Sequence, residues 1–319
     1  MRRTSLFLLP LLLLLASCVP ALEAEGPEAI IPGARFATAP FVDPASGATY
    51  ATGFEAIGRG APVVMVHGIG GGSSLFQYRL NAPAVADAGY AVYALDLLGF
   101  GRSSRPAIRS AQDLLVAQVT SFLEDVVGEP AVVVANGLAA AHAIRIAAER
   151  PELVAGLVLI APTGYRSLNR PQDADRVRAF ELLANPVIGQ AFAGALLSPA
   201  AQEFFLLDAY QERESLTPEV RASYDRNLRV ADARWVVFSF VSGNLDQDVS
   251  ELWPATTQEA LLVWGSAPGF SSYADAEDFV LARPDARLLV LRDAALLPNE
   301  ERADAFNGAV LDFLERIGW

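Results

Sequence analysis

Short, unbroken apolar runs recur along this chain, each followed by a longer stretch of helical character. Pro62–Val66, Ala91–Leu95, 131–135, 156–160, 260–264 and Arg287–Leu291 are such runs. Helical stretches lie between or after them at 75–88, 110–127, 138–150, 272–281 and 302–317. A strand that is apolar at every position must be buried on both faces. Strands of this kind alternating with helices predict a mostly parallel sheet covered by helices on both sides. Ahead of them, Arg35–Val42 and 49–56 flank the turn-rich segment Asp43-Pro44-Ala45-Ser46-Gly47 and predict an antiparallel pair, giving eight strands in all.

Residues 165–252 break the alternation. They carry helical stretches around 172–184, 199–213, 217–229 and 231–241 and no convincing strand. A helical insertion between two core strands is expected to cover the sheet edge as a cap, unless these are simply further core helices. The expected organisation is therefore core from 34 to 164, cap from 165 to 252, and core again from 253 to 319. With 319 residues, 52% of them hydrophobic, the chain can bury one sizeable core. The net charge of −13, with no basic run, argues against nucleic acid as a partner. All 24 basic residues are arginine. One cysteine and two histidines exclude an internal disulfide, a cysteine-based metal cluster and a three-histidine metal site. No cofactor is implied.

The first seventeen residues read as a secretory signal: Arg2 and Arg3, then the apolar run from Leu6 to Ala16, then small residues. The run is shorter than the roughly 20 residues a membrane span needs. Leu15-Ala16-Ser17-Cys18 resembles the lipobox of bacterial lipoproteins, in which the peptide is removed before the cysteine and the cysteine carries lipid. An ordinary signal peptide cut after Ala21 is the other reading. Residues 18–33, with Pro20, Gly26, Pro27, Pro32 and Gly33, are expected to form a tether. The lipoprotein reading implies a membrane partner through Cys18 and an extracytoplasmic location. Val19 lacks the acidic residue associated with inner-membrane retention, which favours the outer membrane in a cell that has one.

Five local patterns, in order, resemble the α/β-hydrolase superfamily, especially its lid-bearing esterase, epoxide hydrolase and haloalkane dehalogenase branch. They are Val66-His67-Gly68-Ile69-Gly70-Gly71, Asp96-Leu97-Leu98-Gly99-Phe100-Gly101-Arg102-Ser103, the segment from Glu149 to Ile160, Leu262-Val263-Trp264-Gly265, and Pro298-Asn299-Glu300-Glu301-Arg302. The resemblance covers roughly residues 35–165 and 253–317. It implies a nucleophile on a tight strand-to-helix turn, G-x-S-x-G, a histidine that takes its proton and an acid that orients the histidine.

All three positions are changed. The turn reads Ala135-Asn136-Gly137-Leu138-Ala139, with Gly137 in place of the nucleophile. The best match to the acid is Pro268, and no carboxylate lies between Glu259 and Asp275. The histidine position falls on Leu296, and no histidine follows His142. By resemblance, the N–H groups of Leu138 and Ile69 would face a pocket as an oxyanion-type pair, with His67 and Gly68 shaping that loop. Asp96 is expected to hold a turn and Arg102 to tie it down. Ser73 and Ser74 are expected to cap the helix starting at Leu75, and His142 to pack within its helix.

Three readings stay open. One is a catalytically inactive, lipid-anchored protein that binds a small apolar or acyl ligand or another protein. A second is an esterase-like enzyme of the family using a non-standard site. A third is a structural envelope protein.

Overall fold

The computed structural model describes residue 26 and residues 28–230, 232–267 and 275–319. Eight strands form one sheet in the order β1-β2-β4-β3-β5-β6-β7-β8. They are β1 (Arg35–Val42), β2 (Thr49–Gly58), β3 (Pro62–Val66), β4 (Ala91–Leu95), β5 (Ala131–Asn136), β6 (Val154–Ile160), β7 (Glu259–Gly265) and β8 (Arg287–Leu291). β1 pairs with β2, and β2 with β4, antiparallel; every other pairing is parallel. The eight expected strands are all present, and every pairing between two of the unbroken apolar runs is parallel.

The helices are α1 (Ala82–Asp87), α2 (Gln112–Phe122), α3 (Leu138–Glu149), α4 (Ala174–Ala184), α5 (Ile188–Leu196), α6 (Pro199–Ala209), α7 (Pro218–Arg229), α8 (Arg234–Val241), α9 (Leu252–Ala255), α10 (Ala276–Ala282), α11 (Pro298–Glu301) and α12 (Ala303–Arg316). Two large apolar clusters cover the two faces of the sheet. One draws on α2, α3 and Trp253, the other on α1 and α12. β3, β5 and all but one residue of β6 are buried along their length, which is why they read as continuous apolar runs.

The structure departs from the sequence reading in three places. The expected helix over 75–88 is a 3-10 turn, Leu75–Tyr78, followed by α1. The break falls at Asn81 ahead of Pro83, whose side chain cannot continue the preceding turn. Within the insertion, the sequence reading did not include α5, Ile188–Leu196, a short helix rich in alanine and glycine. The helix expected over 302–317 begins at Ala303, after the separate turn α11.

The segment ahead of β1 is anchored rather than loose. Glu55 on β2 is buried, and its carboxylate accepts from Ile30 N (2.6 Å) and Ile31 N (2.7 Å) while pairing with Arg102. Arg102 also donates to the Glu28 carbonyl (2.9 Å), and its guanidinium lies 3.9 Å from the centre of the Phe36 ring. The tether expected over 18–33 therefore docks onto the body from about residue 28. Cys18 and the signal segment lie outside the described residues.

Candidate functional site

The turn from β5 into α3 has the strained geometry that exposes a nucleophile. Gly137 sits at φ 57° and ψ −120°, where a residue with a side chain is held at an expense of about 1–3 kcal/mol. Its N–H donates to Ile160 O (2.8 Å) and its carbonyl accepts from Thr163 N (3.3 Å), so β6 and the loop after it fix the turn. Ala135 and Ala139, flanking it, are buried. A Cβ built on Gly137 would meet no atom within 4 Å. Among the described residues nothing fills the place of a side chain there, and the turn keeps the shape suited to one.

Leu296 stands beside this turn. Asn136, the residue before Gly137, donates from Nδ2 to Leu296 O (3.2 Å), and Leu296 N donates to Ala209 O (3.1 Å) at the end of α6. The loop that should carry the base thus meets the elbow and the insertion, with a leucine on it. Pro268 lies outside the described residues.

In the loop after β3, the Gly68 N–H donates to Gln77 Oε1 (2.8 Å). Among the described residues the N–H groups of Ile69 and Leu138 meet no protein acceptor, and Leu138 opens α3, where the first amides of a helix have no intrahelical partner. His67 is fully buried with both ring nitrogens engaged: Nδ1 with Gly68 O (2.9 Å), and Nε2 accepting from Leu97 N (3.1 Å). This pattern requires the neutral ring with its hydrogen on Nδ1. Burial holds its pKa below the ordinary value. His67 fixes two loops to each other and has no lone pair left to act as a base.

Asp96 is buried and accepts from Leu75 N (2.8 Å) and Arg102 N (2.9 Å). It therefore braces the turn, as expected. Arg102 contributes to that turn through its backbone, whereas its guanidinium anchors the N-terminal segment instead. Ser74 is the cap, accepting from Phe76 N (3.3 Å); Ser73 accepts from Gln77 Nε2 (3.3 Å).

His142 packs inside α3 and donates from Nε2 to Leu245 O (3.1 Å), joining that helix to the end of the insertion. Burial pushes its pKa down to about 4. The folded chain thus binds fewer protons than the unfolded chain between pH 6.5 and about 4. The stability His142 permits is complete above pH 6.5 and falls as pH drops through that window, by up to about 3 kcal/mol. Urea denaturation should show the wild type losing about 2–3 kcal/mol more than His142→Gln between pH 7 and pH 4. Equal losses in both would show that this imidazole does not titrate against folding.

A polar cluster that sequence reasoning missed lies next to the elbow. Gln77 Nε2 donates to the Tyr224 hydroxyl of α7 (2.9 Å). The Tyr210 hydroxyl faces Tyr224 and Glu300, and Glu300 pairs with Arg79. Burial raises the pKa of Glu300, Tyr210 and Tyr224. Nearby, Asn81 donates to Asn299 O (2.9 Å) and Asn307 Oδ1 (2.8 Å), while Asn299 donates to Gln77 O (2.9 Å). The Pro298–Arg302 motif is thus a clamp on the segment that positions the Gly68–Ile69 loop. No sequence spacing places residues 77, 210, 224 and 300 together, because two separate core segments and the insertion bring them there. Among the described residues no group of three or more His, Cys, Asp or Glu side chains has a geometry that could hold a metal ion.

Known proteins agree with this architecture. The model of the alpha/beta hydrolase family matches residues 63–309, and the chain belongs to that family. A 2-hydroxy-6-oxononadienedioate/2-hydroxy-6-oxononatrienedioate hydrolase from Pseudomonas sp. is 26% identical over 261 residues, 80% of this chain and 88% of that one. A 2-hydroxy-6-oxo-6-phenylhexa-2,4-dienoate hydrolase from Burkholderia cepacia is 29% identical over 81% of this chain and 88% of its own length. Among solved structures, a thermophilic esterase from Thermogutta terrifontis superposes with a TM-score of 0.72 at 19% identity, over 88% of this chain and 99% of that one, a likeness of fold.

Proposed function

We propose that this family member holds a small acyl or keto compound on the backbone donors of its elbow and forms no covalent intermediate with it. The observation that carries this reading is Gly137: the strained turn is kept, its neighbours are kept small, and the attacking atom is gone. The donors at Leu138 and Ile69 suit a carbonyl oxygen or a small anion. The relatives, whose names specify hydroxy-oxo-dienoates, support a keto acid as the ligand class.

The comparisons favour a second reading, an enzyme of the family acting through other residues. Its relatives over four-fifths of the chain are named as hydrolases, and the Tyr210–Tyr224–Glu300 cluster beside the elbow holds a buried acid with a raised pKa. Oxyanion-type donors and binding alone supply a rate gain of about 10³–10⁴ over water in a triad enzyme stripped of its triad.

One set of measurements separates the readings. The purified chain is exposed to a serine-reactive phosphonate, to a panel of short esters and oxo acids, and to the same compounds in a thermal-shift assay. No labelling, no turnover and a raised melting temperature with oxo acids are expected; ligand at about 100 times its Kd adds about 2.7 kcal/mol. Turnover without labelling that falls in Glu300→Gln establishes the enzyme reading instead. Labelling of any serine overturns both non-covalent routes, and no shift with any compound leaves the chain without the ligand site proposed.

A further inference from the structure

The insertion carries an apolar surface that the site beneath it does not use. Leu182, Val187, Ile188, Phe192, Phe204 and Phe205 all stand exposed on or between α4, α5 and α6. Val187 is 81% exposed, Phe204 70% and Phe205 56%, too open for side chains lining a pocket. The two phenylalanine rings meet edge to face at 5.7 Å. From Leu182 to Gln202 the sequence holds no charged side chain. The other exposed large hydrophobics, such as Val42 and Leu281, are scattered along the chain. Single exposed apolar residues are ordinary; a concentration of them like this one, with Glu203 beside the phenylalanines engaged by Arg221, marks a surface that meets something apolar.

No single described helix is long and apolar enough to cross a membrane, and α4 and α5, which pass together on length and composition, meet at 91°. That geometry suits helices lying in an interface, with apolar side chains dipping a few ångströms into it. The chain's other end points the same way. Ile30, in the first described segment, packs against the cluster that includes Leu206 and Tyr210, the buried side of α6 and the residue after it. Only nine residues lie between Cys18 and Glu28, so the ten steps from one to the other span at most about 36 Å. A lipid on Cys18 would therefore hold the exposed side of α6 within reach of the bilayer surface. The net charge of −13 disfavours anionic headgroups and selects a neutral surface.

We propose that the exposed face of α4–α6 seats on a zwitterionic lipid surface, as a second contact beside the N-terminal lipid. This inference is independent of the elbow's chemistry. Hydrogen exchange on the full chain tests it, with and without phosphatidylcholine vesicles. Amides between 182 and 207 should become protected about tenfold only when vesicles are present, while those around Leu281 do not change. Phe204→Ser with Phe205→Ser should abolish that protection at an unchanged melting temperature, and should cut the co-sedimented fraction at least about tenfold in a Cys18→Ser background. Replacing phosphatidylcholine by phosphatidylglycerol should weaken protection. Unchanged exchange at 182–207 on vesicles overturns the proposal. Protection that rises with protein concentration in the absence of lipid also overturns it and assigns the face to a second copy of the chain.

Discussion

Asp96→Ala is expected to lower the free energy of unfolding by about 3–5 kcal/mol, a large part of what a domain of this size has. The carboxylate is fully buried and accepts from two backbone amides, Leu75 N and Arg102 N. Bonds from neutral donors to a charged acceptor contribute about 1.5–3 kcal/mol each, and alanine would strand both amides without a partner. The turn is also built around this side chain: Gly101 has φ 44°, and a Cβ on it would lie 2.1 Å from the Asp96 carboxyl carbon. Asp96→Asn keeps an acceptor and should lose less, about 1–3 kcal/mol. Urea denaturation at pH 7 measures both, with an unchanged m-value showing that the denatured state is the same. A catalytic Asp96 predicts the reverse, a stable protein with altered chemistry. A loss under 1 kcal/mol for Asp96→Ala would remove the structural assignment.

On the non-covalent reading proposed above, the same reasoning about charge and partner accounts for glycine at 137 and leucine at 296 together. A histidine at 296 with no serine to serve would place a titratable ring on a half-buried loop between Asn136 and Ala209. A buried donor or acceptor left unpaired is destabilising by about 1–3 kcal/mol. Leucine there removes that penalty, as glycine at 137 removes the strain of the elbow. What survives is the part with a structural duty: His67 joins two loops, Asp96 braces a turn, and Asn299 clamps the segment before α1.

How much of this could be read beforehand follows from where the constraint sits. β3, β5 and β6 are legible because burial on both faces forces every residue to be apolar. Glycine at the elbow and the absence of any histidine after His142 can be read without a fold, because both are matters of chain order. Gly68 reads as part of the loop motif, but only the fold shows that Gln77, nine residues on, takes its N–H. Arg102 lies in a motif that turns, yet its guanidinium is drawn away by Glu55, a partner on another strand that local sequence cannot reveal. The Gln77–Tyr224–Glu300 cluster depends on contacts spanning 147 residues and more, which no local periodicity encodes. α5 is harder to read because it is short and carries two glycines, which weaken the helical signal.

Gly137→Ser alone should give no phosphonate labelling and no ester turnover, whereas Gly137→Ser with Leu296→His should label slowly but measurably. Space is not the obstacle, since a Cβ at 137 meets nothing within 4 Å. Strain is modest: the single variant should lose about 1–3 kcal/mol of stability, because φ 57° and ψ −120° suit glycine better than serine. The obstacle is the proton. A neutral serine hydroxyl is a weak nucleophile, and His67, in the loop after β3, already has both nitrogens engaged. Residue 296 is the position to supply a base, because its carbonyl is tied to Asn136 at 3.2 Å, one residue from the nucleophile position. Without an acid to set the tautomer, the double variant should remain about 10⁴-fold below a complete triad. Labelling of the single variant as fast as the double would mean that another base stands within reach of residue 137, and the case for a non-covalent site would fail. A folded double variant that never labels would mean that residue 296 is not where the base belongs.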